Sequence, residues 1–126
     1  MRMTERVREI IELNIVGQYI PLVVQADSAH LFPMYFGRII GENTLVFPVT
    51  GATGIGEVLK QPKPTSAMVV DRPAGYEAYL LEGEARYVTS DEDYDLVSAM
   101  RNEAPAFPID GAVTFEVRVV HLLPPP

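Results

Sequence analysis

The sequence predicts a mainly β protein of one domain: a small barrel of six antiparallel strands with short helices packed outside it. Three observations lead there. Apolar and polar residues alternate with period two along much of the chain, most clearly where Val113, Phe115, Val117 and Val119 interleave with Thr114, Glu116 and Arg118. Helical patterns are few, short and ended by proline or turn residues. A length of 126 residues at 48% apolar content suits one packed core, and no repeat, linker or low-complexity block divides it.

Thr4 is placed to cap a helix over Glu5 to Leu13, because Val7, Ile10, Ile11 and Ile15 share one face while arginines and glutamates fill the other. From Val16 to Gln25 the composition turns to β formers, although Pro21 lacks a ladder N–H and predicts an edge or a bulge. Asp27 and Ser28 turn the chain into a second strand, Leu31 to Ile40, and Gly41-Glu42-Asn43 turns it again into a third, Leu45 to Val49. Three short strands in succession predict an antiparallel meander. After a glycine-rich turn, a helical run beginning at Glu57 is stopped by Gln61-Pro62-Lys63-Pro64.

Ala67 to Val70 resumes as a strand, and Asp71 to Gly75 reads as a loop. The longest strand, Tyr76 to Thr89, has Leu81, Gly83, Ala85 and Tyr87 on one face, with Gly83 free to bend as a barrel wall requires. Ser90-Asp91-Glu92-Asp93 fits a capping box with Ser90 as N-cap, and Tyr94, Val97 and Met100 continue a helix to about Asn102. Ala104 to Asp110 is a proline-broken loop. The final strand, Ala112 to Leu122, must find a distant partner to close the barrel.

Charge and residue inventory bound the function. A net charge of −7 and a pI near 4.7, with no basic cluster, argue against nucleic acid as a partner. Cysteine is absent, which removes disulfides and thiolate metal sites; His30 stands beside a turn with no second ligand at metal spacing, leaving His121 as the other imidazole. The charged N-terminus lacks the apolar core of a signal peptide, and no apolar run approaches the roughly 18 residues of a membrane span, so a soluble, cytoplasmic protein is expected. There is no GxSxG and no HExxH, and Glu82 with Glu84 reads as a solvated pair. Chemistry here would be borrowed from a cofactor.

The stretch Asn43 to Leu59, NTLVFPVTGATGIGEVL, is where such a cofactor would sit. A strand leads into Thr50 to Gly56, which carries three glycines and two hydroxyls in seven residues, and then into a helix start. Bare backbone N–H groups at such a turn suit a phosphate; the other reading is a connection whose glycines only satisfy positive φ. Thr50 to Gly56 also looks like the TGxxxGxG of nicotinamide dinucleotide-binding dehydrogenases, with Asp71 twenty residues after Gly51. Its glycines are spaced GxxGxG instead, and Pro62 breaks the helix. A P-loop fits less well still: Gly51 and Gly56 have its separation, but Glu57 and Val58 stand where lysine and a hydroxyl are needed.

Beyond these patterns the chain resembles the FMN-binding split β-barrel family, the pyridoxamine 5′-phosphate oxidase-like proteins, most of all their small single-domain bacterial members. The resemblance runs through AHLFPMYF, NTLVFPV, YLLEGEARYVTSDEDYDLV and AVTFEVRVVHLLP, with Leu81-Glu82-Gly83-Glu84-Ala85 its most telling piece. It implies a six-stranded split barrel, a homodimer with FMN between subunits, and service as an electron carrier or flavin-dependent oxidoreductase. It implies Met34 and Tyr35 near the flavin ring, backbone contacts from Phe47, Pro48 and Val49, and Thr50, Gly51, Thr53, Gly54 and Ile55 near the phosphate. The chain departs from the family where Gly54, Ile55 and Val58 replace the basic, hydroxyl and amide residues common there. Loss of one cation forfeits about 1.5–3 kcal/mol of charge-assisted binding. The departure leaves three outcomes: weak FMN binding, an arginine such as Arg38 or Arg72 as substitute, or a cofactor-free dimeric barrel.

Overall fold

The computed structural model describes residues 4–13, 19–35, 37–49, 54–71, 77–92, 94–95 and 109–124. In chain order the elements are α1 (Glu5–Leu13), β1 (Tyr19–Gln25), β2 (Ala29–Tyr35), β3 (Arg38–Ile40), β4 (Thr44–Val49), α2 (Ile55–Val58), β5 (Lys63–Asp71), β6 (Glu77–Val88) and β7 (Gly111–Leu122). The strands form one sheet in the order β2-β1-β5-β6-β7-β4-β3, every pairing antiparallel. A doubly wound parallel sheet is therefore absent among the described residues, and with it the frame a nicotinamide dinucleotide site requires.

The first and last strands of that order, β2 and β3, are separated in sequence only by Phe36 and Gly37. The sheet must curl until its ends meet, which makes it a barrel. The expected single strand from Leu31 to Ile40 is thus one path in two halves. Its first half pairs with β1, from Tyr35 opposite Tyr19 to Ala29 opposite Gln25, and its second with β4, from Arg38 opposite Val46 to Ile40 opposite Thr44. Seven strands replace the six expected for this reason. Inward-facing residues are even-numbered on β2, with Phe32 and Met34 against the core, and odd-numbered on β3, with Ile39. That one-residue slip exchanges which side chains face the interior between the two halves. Gly37 permits it: a Cβ there would lie 2.6 Å from a Phe47 ring carbon.

The meander also needs correcting. β1–β2 and β3–β4 are hairpins, but β2 and β3 do not pair with one another, so the first four strands split to the two ends of the sheet. Pro21 stands on an interior strand instead of an edge. It is tolerated because it faces Pro33 across β2, and because pairing with β5 runs only from Leu22 to Val24, ending one residue short of it.

Between β6 and β7 the register steps from Glu82 opposite Val119 to Gly83 opposite Val117, leaving Arg118 as an extra residue. A Cβ on Gly83 would stand 1.8 Å from the Glu116 carbonyl oxygen, so this close approach admits only glycine. The bulge reverses the alternation beyond it. Val113, Phe115 and Val117 are fully buried as expected, whereas Val119 is 43% exposed and Val120 packs against the core in its place.

The helices close the barrel. Thr4 caps α1 through its hydroxyl, which accepts from Val7 N at 3.3 Å, and Val7, Ile10 and Ile11 enter the core. Arg6 ties α1 to the sheet, donating to Asp71 and, at 3.1 Å, to Glu77, whose carboxylate also accepts from the Tyr79 hydroxyl. Ile55 of α2 and Leu59 after it are buried too. The later cap is Asp91 and not Ser90: the Asp91 carboxylate accepts from Tyr94 N at 2.9 Å, and its carbonyl from Asp95 N at 2.9 Å. The remainder of the helix expected to Asn102 lies outside the described residues. Among the described residues no helix is long and apolar enough to cross a membrane.

Candidate ligand-binding site

Backbone direction along β4 follows from one bond. Asn43 O accepts from Val117 N at 2.8 Å, so the hydrogen-bonded pairs with β7 fall on odd residues of β4, and Thr44, Val46 and Pro48 turn their backbone groups toward β3. β3 reaches only from Thr44 to Val46. Pro48 therefore stands past its end with a carbonyl and no N–H to offer. On β2 the same logic applies to Pro33. Opposite another proline it cannot belong to a hydrogen-bonded pair, so its backbone faces away from β1, again without an N–H. Prolines thus stand on both lips of the opening where β2 and β4 part beyond Gly37, and neither Pro33 nor Pro48 can donate there, whereas Leu31 and Tyr35, in phase with Pro33, turn their N–H groups the same way.

Around that opening the structure gathers part of the expected set. β2 contacts β4, and Met34 and Phe47 meet in the same core cluster. Tyr35 points outward, 49% exposed, with its ring centroid 6.0 Å from that of Tyr19. Pro48 is half-buried. Phe47, Val49, Ile55 and Met34 are all buried to 5% exposure or less, so their side chains serve the core and only their backbones can face a ligand. Gly54 is exposed in the left-handed region at φ 71°, with no atom within 4 Å of where a Cβ would stand. Thr50, Gly51 and Thr53 lie outside the described residues, as does Arg72. Arg38 opens β3, opposite Val46.

The expected helix after the loop begins at Ile55 rather than Glu57 and spans four residues. A single turn carries little macrodipole, so an anion at the loop would gain little from α2. Sequence reasoning missed the neighbourhood of Tyr87. Its ring lies against Gly56, where a Cβ would be 3.2 Å from Cε1, and its hydroxyl over Gly111, where a Cβ would be 2.3 Å away. Burial, then the charge of Asp110 and the proximity of Tyr94, push the Tyr87 hydroxyl pKa up. Asp110 itself donates its backbone N–H to Val49 O at 2.8 Å, placing an acidic residue at the very end of β4. The only sequence signal was an Asp-Gly pair, read as loop.

On the outer face a separate groove of about 210 Å³ lies among Ile40, Thr44, Glu84, Arg86, Thr114 and Glu116. It is below the ~300 Å³ of a small-molecule pocket, so it does not by itself hold a ligand the size of a flavin. No cluster of metal-ligating side chains occurs among the described residues.

No protein-family model and no curated protein matches the sequence. Solved structures do match its fold. HupZ of Group A Streptococcus is similar over 96% of this chain and 94% of its own, at a TM-score of 0.76 and 14% identity. A candidate pyridoxamine 5′-phosphate oxidase from Lactobacillus delbrueckii is similar over 95% and 93%, at 0.73 and 16%. An FMN-binding protein from Syntrophomonas wolfei is similar over 93% and 83%, at 0.73 and 17%. The fold is the split β-barrel of pyridoxamine 5′-phosphate oxidase-like proteins.

Proposed function

We infer that this split barrel binds a flavin, with FMN the leading form, and works as an electron carrier or flavin-dependent oxidoreductase. The observation that carries the reading is the opening beside Gly37. The exposed Tyr35 and the carbonyl of Pro48, past the end of the described β3–β4 pairing, offer a planar ring with a polar rim an apolar surface and a hydrogen-bond acceptor together. The FMN-binding neighbour from Syntrophomonas wolfei supports it at the level of fold. A bound flavin would supply the redox chemistry, while these residues orient its ring and screen it from water.

Homodimerisation belongs to the same reading. Tyr19, Tyr35, Leu31, Met68 and Val119 leave large apolar area outside the sheet, of a kind that a second copy covers. The competing reading is a cofactor-free dimeric barrel, and the burial of Phe47, Val49 and Ile55 side chains favours it. A visible spectrum of freshly purified protein, followed by flavin titration, separates the two. A band near ~450 nm that co-purifies, or saturable binding of added flavin, supports the first; neither supports the second.

A further inference from the structure

We propose that two copies of the chain meet on the outer face of the sheet around the His121–Glu82 ion pair, and that protonation of His121 tightens their association. The proposal rests on the homodimer reading and specifies the face and what regulates it. Strand register sets the pair within an apolar surface. One outward row crosses the sheet through Leu31, Val23, Ser66, Glu82 and Val119, and the next runs through Met68, Leu80 and His121. Leu31, Met68 and Val119 on these rows are large apolar side chains left exposed. The imidazole Nε2 lies 2.7 Å from a Glu82 carboxylate oxygen, on the diagonal between β6 and β7, and both side chains are half-exposed.

Charge selects a second copy as the occupant. Each chain carries −7 with its histidines neutral, so two copies repel across most of their surfaces. On these two rows the charged side chains are Glu82 and His121, and they cancel once the imidazole is protonated. A two-fold axis beside the pair also sets each imidazolium against the other copy's carboxylate, so the face complements itself. The other charged groups facing outward on β6 and β7 are engaged elsewhere: Arg118 with Glu116 at 3.3 Å and Glu84 at 3.8 Å, and Arg86 with Asp91 at 3.2 Å. β1, β2 and β5 turn no charged residue to this face, only the titratable Tyr19 and Tyr35. With the imidazole neutral, nothing on the face offsets Glu82, and covering it strips water from a net carboxylate in each copy. Association therefore takes up protons, so it is strongest at the acidic end of the range where imidazole titrates and weakens as pH rises through it.

A dilution series of the purified chain from micromolar to nanomolar, read by fluorescence-detected sedimentation at about pH 6 and about pH 8 and at fixed ionic strength, tests this. The dimer Kd is expected to rise about tenfold or more between the two, because each of the two pairs gives up a proton on dissociation. His121→Gln keeps a donor for Glu82 without a charge; it should abolish the shift and hold the dimer at its weaker, high-pH strength. Glu82→Gln should reverse the sign, since the imidazolium is then the charge that is covered without a partner. His30→Gln, which removes the other imidazole, should leave the wild-type shift in place. A dimer of equal strength at both pH values, or a shift that survives His121→Gln, overturns the proposal and leaves the homodimer reading intact. A monomer throughout the series at both values defeats that reading, and the proposal with it.

Discussion

Two glycines show how differently the same residue type can be constrained. Gly41 has φ 62° with open space around it, so Gly41→Ala should cost only the backbone term, about 1 kcal/mol. Gly83 has no such φ, yet a methyl there meets the Glu116 carbonyl at 1.8 Å and must push β6 and β7 apart. Gly83→Ala should therefore cost more, about 2–4 kcal/mol, and urea denaturation of the pair of variants would show the difference. A second residue-scale expectation concerns acid. The hydrogen bond from Tyr79, and then that from Arg6, hold the Glu77 carboxyl below the ordinary value of 4.5. A depressed folded pKa contributes stability above the unfolded value, lost as pH falls through the folded one. Glu77→Gln should lower Tm at pH 7, and the deficit should shrink below pH 4.5; a deficit constant across that range would show that charge is not its source.

At the scale of elements, what could be read locally was read well. The cap at Thr4, the apolar stripe of α1 and the extents of β4, β6 and β7 follow from period, turn residues and proline stops. The break at Gly37 and the bulge at Arg118 did not follow, because each is set by atoms of another strand, the Phe47 ring and the Glu116 carbonyl. The price of missing the bulge was Val119, whose alternation is sound within its own strand and inverted by the partner. Val120→Ser should accordingly destabilise more than Val119→Ser, with thermal melts as the measure. In α1, Ile10→Ala removes a fully buried side chain and should cost about 2–5 kcal/mol. Thr4→Ala, which loses only a cap, should cost about 1 kcal/mol. Met34 and Phe47 were legible in the same way, as apolar residues of β2 and β4 that meet in one core cluster, whereas Tyr35 next to Met34 points outward. The acidic company of Asp110 was not, since only the β4–β7 register brings it to Val49.

For the whole molecule, sedimentation at micromolar concentration should give about twice the 13.9 kDa chain mass if the outer apolar face is covered by a second copy. A monomer would leave Tyr19, Leu31 and Met68 in water and remove any groove between subunits. The path through Phe36 and Gly37 has a further consequence, during synthesis. β1 needs β5 for its second neighbour and β4 needs β7, so a nascent chain grown only through β4 carries two hairpins tied at Gly37 and no enclosed interior. Leu22, Val24, Leu45 and Phe47 wait with their inner faces uncovered until the ribosome has delivered β7, roughly 4–15 s later at elongation speeds of about 5–20 residues per second. Stalled chains ending near residue 62 should be cleaved readily by added protease, and resistance should arrive in one step once residue 122 has cleared the exit tunnel.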